Sequence, residues 1–189
     1  MSIQPLPETE FLREMVTQSG ISVRELSSEK PVVLMFLRHF GCVFCKEALA
    51  DIADRAKRLK RTGAELVFVH MSEPEIAERY FGRFGLQNAL HVSDPDCVFY
   101  TAFGLRKGSL SQLFGLKNWI RGFSIQMNHN FPMEYDKSLG DAFQMPGTFV
   151  VYKGQIEERF IHTLAGDKPD YEALINRCQL LFETNRPVS

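Results

Sequence analysis

Cys42 and Cys45 stand three residues apart around the apolar pair Val43-Phe44, between a β-rich apolar run and a long amphipathic run. A Cys-x-x-Cys pair has two chemistries, reversible disulfide formation or the supply of two ligands to zinc or an iron–sulfur cluster. A closed metal site needs about four ligands. The chain has no second Cys-x-x-Cys, and His39, His70, His91 and His129 show no ligand spacing, so no metal or other cofactor is expected. A Cys42–Cys45 bridge would also close too short a loop to staple the unfolded chain. Redox chemistry is left. At the start of a helix, Cys42 falls at or beside the N-cap, where unpaired N–H groups and the positive end of the helix dipole stabilise a thiolate. Cys45, one turn inside, is placed to attack a mixed disulfide formed on Cys42. Arg38 and His39 precede the motif as candidates for added positive potential. Cys97 and Cys178 stand alone: Cys178 reads as core, and Cys97 as a small helix residue packed inward or, alternatively, a second resolving or sensor thiol.

The elements that must position this pair are legible around it. PVVLMFLRHF (31–40) is β-branched and aromatic and reads as a buried strand. In CVFCKEALADIADRAKRLKRTG, Cys45, Ala48, Leu49, Ile52, Ala56 and Leu59 recur at helical spacing, cations crowd the end, and Gly63 closes the helix. ELVFVHM (65–71) predicts a second strand and SEPEIAERYFGRFG a second helix, with Pro74 in its first turn. NALHVSD (88–94) predicts a third strand, and a third helix starts behind Pro95. GTFVVYKGQIEERFIH predicts a hairpin turning at Lys153-Gly154, and residues 169–183 a closing helix. Residues 8–18 predict a short N-terminal helix stopped by Gly20. The order β-α-β-α-β-α, an interruption, then β-β-α implies an α/β fold: a parallel sheet covered on both faces, with an antiparallel edge.

With 189 residues, 44% of them hydrophobic, the chain suits a single domain, 1–189. The interruption, residues 105–142, is too long for an ordinary connection and reads as a partly helical insertion. From Leu105 to Met133 its charged residues are all basic (Arg106, Lys107, Lys117, Arg121), interleaved with Phe114, Trp119, Phe123 and Phe131. That segment either packs its aromatics on the parent domain or offers a patch for a partner, a membrane surface or a second copy, as in a homodimer. A formal net charge of -1 gives no field to recruit nucleic acid or an anionic membrane. No run is long and apolar enough to span a bilayer, and the N-terminus lacks a signal-peptide pattern, so the expected location is the cytoplasm.

FLRHFGCVFCKEALADI, HVSDPDCVFYTAFGL, LGDAFQMPGTFVVYKGQI and AGDKPDYEAL together resemble the peroxiredoxin-like family. This is the second group of the alkyl hydroperoxide reductase/thiol-specific antioxidant superfamily, related to selenoprotein L. The likeness runs from about Val32 to Leu174. It implies a thioredoxin-like fold, three-layer α/β/α with a mixed sheet, and an antioxidant oxidoreductase acting on a disulfide or peroxide and recharged by a thiol system. It also implies that Met145-Pro146 faces the dithiol, with a cis bond before Pro146 and backbone presented to substrate. Two departures stand out. Met35 and His39 occupy the places of a peroxiredoxin's loop proline and threonine, and Pro146 falls about where its late arginine belongs. The resemblance therefore favours disulfide exchange over fast peroxide reduction, unless Arg38 replaces the missing cation. A non-catalytic binding module on the same fold is the remaining alternative.

Overall fold

The computed structural model describes residues 7–114, Ile125, Glu134 and residues 136–184. Five strands form one sheet in the order β3-β2-β1-β4-β5. They are β1 Val32–Phe36, β2 Glu65–His70, β3 Leu90–Ser93, β4 Gly147–Tyr152 and β5 Gln155–Ile161. β1 pairs in parallel with β2 and β2 with β3, while β4 joins β1 antiparallel and β5 extends it as the hairpin's outer strand. Lys153 (φ 51°) and Gly154 (φ 71°) both take the left-handed conformation at the turn, the geometry whose twist matches the flanking strands. β1 and β4 are buried along their whole length, so they carry no polar alternation.

Helices cover both faces. α3 (Val43–Arg61), α4 (Pro74–Arg83) and α7 (Tyr171–Thr184) bury Leu49, Ile52, Phe81, Leu174 and Cys178 with Val33, Phe68 and Val150 of the sheet. On the other face a 3-10 turn (Phe11–Arg13), α2 (Val23–Glu29) and α5 (Val98–Ala102) pack on Leu34, Phe36, Val69 and Phe149, and the N-terminal turn α1 (Pro7–Glu10) lies against α5. Hence three layers, α/β/α, on a mixed sheet. Gly63 lets α7 lie against the end of α3, since a Cβ there would meet the Phe182 ring at 2.7 Å.

The N-terminus differs from the single helix expected over 8–18. The helical turns stop at Arg13, and Val16 bridges Ser22 across a tight turn. The chain then forms α2, unforeseen from apolar spacing but capped by a reciprocal Ser22–Glu25 capping box. A surface turn on a covering layer answers to the sheet beneath it more than to its own periodicity. Within the insertion, α6 (Leu110–Phe114), buried Ile125 and a 3-10 turn at Lys137–Leu139 are described. Lys117, Trp119, Arg121, Phe123 and Phe131 of its basic aromatic stretch lie outside the described residues. The two ends of the insertion meet, for Lys107 bridges Gln144.

Candidate active site

β1 ends at Phe36, and the next turn carries the chain across the top of the sheet into α3. That turn is pinned from below. The Tyr100 hydroxyl, fully buried, donates to Leu37 O at 2.6 Å and Val69 O at 3.0 Å, while Leu37 N–H donates to Val69 O. Cys42 is the N-cap of α3, in extended conformation and 6% exposed. Its side chain makes no cap hydrogen bond and the first turn holds no acidic residue, so the positive end of this 19-residue helix faces the sulfur unopposed.

Arg38 completes the setting. It is buried, and its Nη1 donates to Cys42 Sγ at 3.0 Å. Its other nitrogens donate to main-chain carbonyls of the loop before β4, Nε to Gln144 O at 3.4 Å and Nη2 to Ala142 O. Among the described residues no carboxylate pairs with it. A buried guanidinium facing only carbonyls and one sulfur is best neutralised when that sulfur is an anion. Gln144 is held in turn, its Nε2 donating to Leu105 O at 2.9 Å.

Cys45 differs. It is 3% exposed, and its thiol donates to Arg38 O at 3.6 Å. Burial, with Cys42 beside it, pushes this thiol well above its ordinary value, so it rests protonated. Both cysteines are free thiols here. Beside Cys45 lies a cavity of about 30 Å³, room for about one water. Cys45, Arg38, Phe44, Pro146, Thr148 and Tyr171 are among its walls.

His39 supplies no charge at neutral pH. Burial and the nearby Arg38 lower it to about 4. The Met145–Pro146 bond is trans, correcting the expected cis bond. In trans, Met145 N–H donates to Arg106 O at 3.2 Å and Pro146 O accepts from His162 N–H at 3.4 Å, so this backbone is already engaged where the chain enters β4. Met145 packs with Leu113, Ala165 and Phe44, the second of the two residues between the cysteines. Burial raises Cys178, fully buried on α7, to about 12, whereas Cys97 is only half-buried at the N-cap of α5 and is raised to about 11, so the expected core placement holds for Cys178 and not for Cys97.

Two residues escaped the sequence reading. Lys46 is buried on α3 directly after Cys45 and pairs with Glu134 at 2.7 Å. Glu134 also accepts from Tyr80 Oη at 2.6 Å, and its N–H donates to Gly41 O, which ties the insertion's return to the turn before Cys42. A lysine in the first turn of a helix opposes the dipole and so needs a partner, a signal present in the sequence. The partner, 88 residues away, was not. Among the described residues no group of three or more His, Cys, Asp or Glu side chains is placed to share a metal ion.

The AhpC/TSA antioxidant enzyme family matches residues 51–164 of this chain, more than half of it. The chain belongs to that family. Among curated relatives, the prostamide/prostaglandin F synthase of Salmo salar is 26% identical, covering 86% of this chain and 80% of its own. The peroxiredoxin-like 2C of Bos taurus is 29% identical over 57% of this chain and 48% of its own. The solved bacterioferritin comigratory protein of Xanthomonas campestris, described for alkyl peroxide reduction, superposes with a TM-score of 0.60 at 13% identity, covering 97% of this chain and 98% of that one. At that identity the likeness speaks for the fold, which is thioredoxin-like. This AhpC/TSA protein is a thiol-dependent oxidoreductase, and such a protein takes a peroxide or disulfide as oxidant and a thiol as reductant. The family match begins at Asp51, after the dithiol, so it identifies the scaffold and leaves the roles of Cys42 and Cys45 to the geometry. No described helix is long and apolar enough to cross a membrane.

Proposed function

We propose that the protein is a thiol–disulfide oxidoreductase in which Cys42 attacks and Cys45 resolves. The observation that carries this reading is the Arg38 guanidinium, 3.0 Å from Cys42 Sγ and without a carboxylate among the described residues. In the first step the Cys42 thiolate attacks one sulfur of a disulfide R–S–S–R. A Cys42–S–R bond forms, the S–S bond breaks, and one R–S⁻ leaves and takes a proton. In the second step Cys45 loses its proton and attacks Cys42 Sγ. The Cys42–Cys45 disulfide forms and the second R–SH leaves, so R–S–S–R has gained two electrons and the dithiol has lost two. An external thiol returns the pair to the reduced state. Both sulfurs are nearly buried, which favours a small or locally extended disulfide as substrate. The same reading takes 1–189 as one cytoplasmic domain with 105–142 inserted in it.

A second reading, hydroperoxide reduction, is favoured by the same guanidinium. A peroxidase needs a donor for the oxygen on which charge builds as the O–O bond breaks. Pro146 cannot supply one, but Arg38 brings a cation to the sulfur from the preceding turn. Stopped-flow oxidation of the reduced protein by hydrogen peroxide and by 2-hydroxyethyl disulfide ranks the two. The disulfide is expected to react faster, and Cys42→Ser to abolish both. Peroxide oxidation that outpaces the disulfide would make the second reading the first. Either reaction surviving in Cys42→Ser would remove Cys42 as nucleophile.

A further inference from the structure

Closing a Cys42–Cys45 disulfide would take from Arg38 the one atom near it that can carry negative charge. The guanidinium is 6% exposed, with Nη1 3.0 Å from Cys42 Sγ and its other nitrogens on the carbonyls of Ala142 and Gln144. Among the described residues no carboxylate pairs with it. The N-terminal end of α3 adds its own positive potential, with no side-chain cap and no acidic residue in the first turn. Both effects reward an anion at Cys42 Sγ. In the dithiol that sulfur can carry one; in the disulfide neither sulfur can. Oxidation therefore leaves a buried cation facing dipoles alone, the costly state of a buried pair that has lost one partner. The Cys45 thiol also donates to Arg38 O at 3.6 Å, and a disulfide has no S–H to donate. All of these contacts favour the dithiol, and a couple whose reduced form is stabilised is an oxidising one.

The surroundings also select the thiol that does the reducing. Cys42 and Cys45 are almost fully buried. A protein partner gains affinity by laying an extended segment on free backbone, as an added strand does. Beside this pair the backbone is taken: Met145 N–H donates to Arg106 O, Pro146 O accepts from His162 N–H, and Pro146 has no N–H to give. A small monothiol needs no such edge.

We propose that Arg38 poises the Cys42–Cys45 couple as an oxidising one, and that its reductant is a small monothiol of the glutathione class. The inference rests on the reading that Cys42 attacks and Cys45 resolves. In the first step a monothiolate R′–S⁻ attacks Cys42 Sγ of the disulfide. A Cys42–S–R′ bond forms, the Cys42–Cys45 bond breaks, and Cys45 takes up a proton. In the second step another R′–S⁻ attacks the R′ sulfur, R′–S–S–R′ forms, and Cys42 leaves as the anion beside Arg38. Two monothiols have lost two electrons and the protein disulfide has gained them.

The test is a redox equilibrium. The full chain is brought to equilibrium at pH 7, without oxygen, in mixtures of reduced and oxidised glutathione, then acid-quenched, alkylated and read by peptide mass spectrometry. Arg38→Met is expected to shift the equilibrium toward the disulfide by about 10- to 100-fold, the range for a hydrogen bond to a charged group, which is about 30–60 mV. Arg38→Lys keeps the charge and should recover part of that shift. A purely structural role would weaken both redox forms alike, so urea unfolding of each form is the second readout. The oxidised parent should be the less stable form, and Arg38→Met should narrow the gap by the amount that the equilibrium shifts. Glutathione should also reduce the disulfide faster than a reduced thioredoxin does at equal thiol concentration. An equilibrium and a stability gap unmoved by Arg38→Met would overturn the role of Arg38, and faster reduction by the thioredoxin would overturn the choice of reductant. The underlying reading fails separately: oxidised glutathione alone would then leave Cys42 as its glutathione adduct, with no bond to Cys45.

Discussion

At the level of single residues the site turns on one pairing of charge and sulfur. Arg38 Nη1 and the N-terminal end of α3 converge on Cys42, while Cys45, three residues on, meets a carbonyl and a small cavity. Two sulfurs of one motif thus meet different surroundings, one beside a cation and the other beside a carbonyl, which is what a sequential mechanism requires. Hydrogen bonds to charged groups are worth about 1.5–3 kcal/mol, so Arg38→Met should slow alkylation of Cys42 by roughly 10- to 100-fold at pH 7. Timed iodoacetamide labelling with peptide mass spectrometry measures this. In the unaltered protein Cys42 should label before Cys45, Cys97 and Cys178. Labelling of Cys42 unchanged by Arg38→Met would show that the helix terminus alone activates it.

Among the elements, the turn between β1 and α3 is the part most heavily braced. Tyr100 on α5 holds its start, and Glu134, with Gly41 beside it, holds its end. A Cβ at position 41 would come 1.8 Å from Glu134 O, so that close approach requires glycine. Tyr100→Phe leaves the ring packing against Phe36 intact but strips a buried donor from Leu37 O. The expected loss is about 1–3 kcal/mol in urea unfolding, with a lower alkylation rate at Cys42 as the turn loosens. Glu134→Ala leaves Lys46 buried without that carboxylate and should cost a similar amount. Because Glu134 is one-third exposed, the cost should fall short of the 3–5 kcal/mol seen for fully buried pairs.

Across the whole molecule, burial of titratable groups shapes the dependence of stability on pH. His39 is lowered to about 4 and His70 to about 3, and His91, in contact with His70 at 2.9 Å, is lowered as well. The unfolded chain therefore binds protons near pH 6.5 that the folded one refuses. Their stability contribution is complete above that pH and is lost as pH falls toward 4 and then 3. The thiols act on the other side. Cys97 is raised to about 11 and Cys178 to about 12, so the unfolded chain ionises first, and stability is lost as pH rises from 9 through those values. Urea unfolding of the reduced protein should show a plateau between about pH 6.5 and 9 with decline on both sides, each unit of displacement being worth about 1.4 kcal/mol. A maximum below pH 6 would contradict the neutral state of the buried histidines.

The α/β order, the central strands, the helix carrying the dithiol and the hairpin could be read from residues alone. Each rests on local periodicity, a cap or a turn: the 3.6-residue spacing after Cys42, the β-branched runs of 32–36 and 65–70, Lys153-Gly154. The position of Cys42 at the N-cap was legible for the same reason. The Ser22–Glu25 capping box was also there to be read, although α2 carries little periodicity to announce it. What local pattern cannot encode is direction and burial. Whether Arg38 points to solvent or to sulfur depends on carbonyls at 142 and 144, more than a hundred residues away. Whether His39 carries charge depends on how deeply the turn is covered. The trans bond before Pro146, the carboxylate that meets Lys46 and the cavity uniting Cys45 with Tyr171 likewise follow from contacts between distant segments. Chain order names the groups that can react, but only closure of the sheet and its covering helices sets the dielectric and the neighbours that decide which of them do.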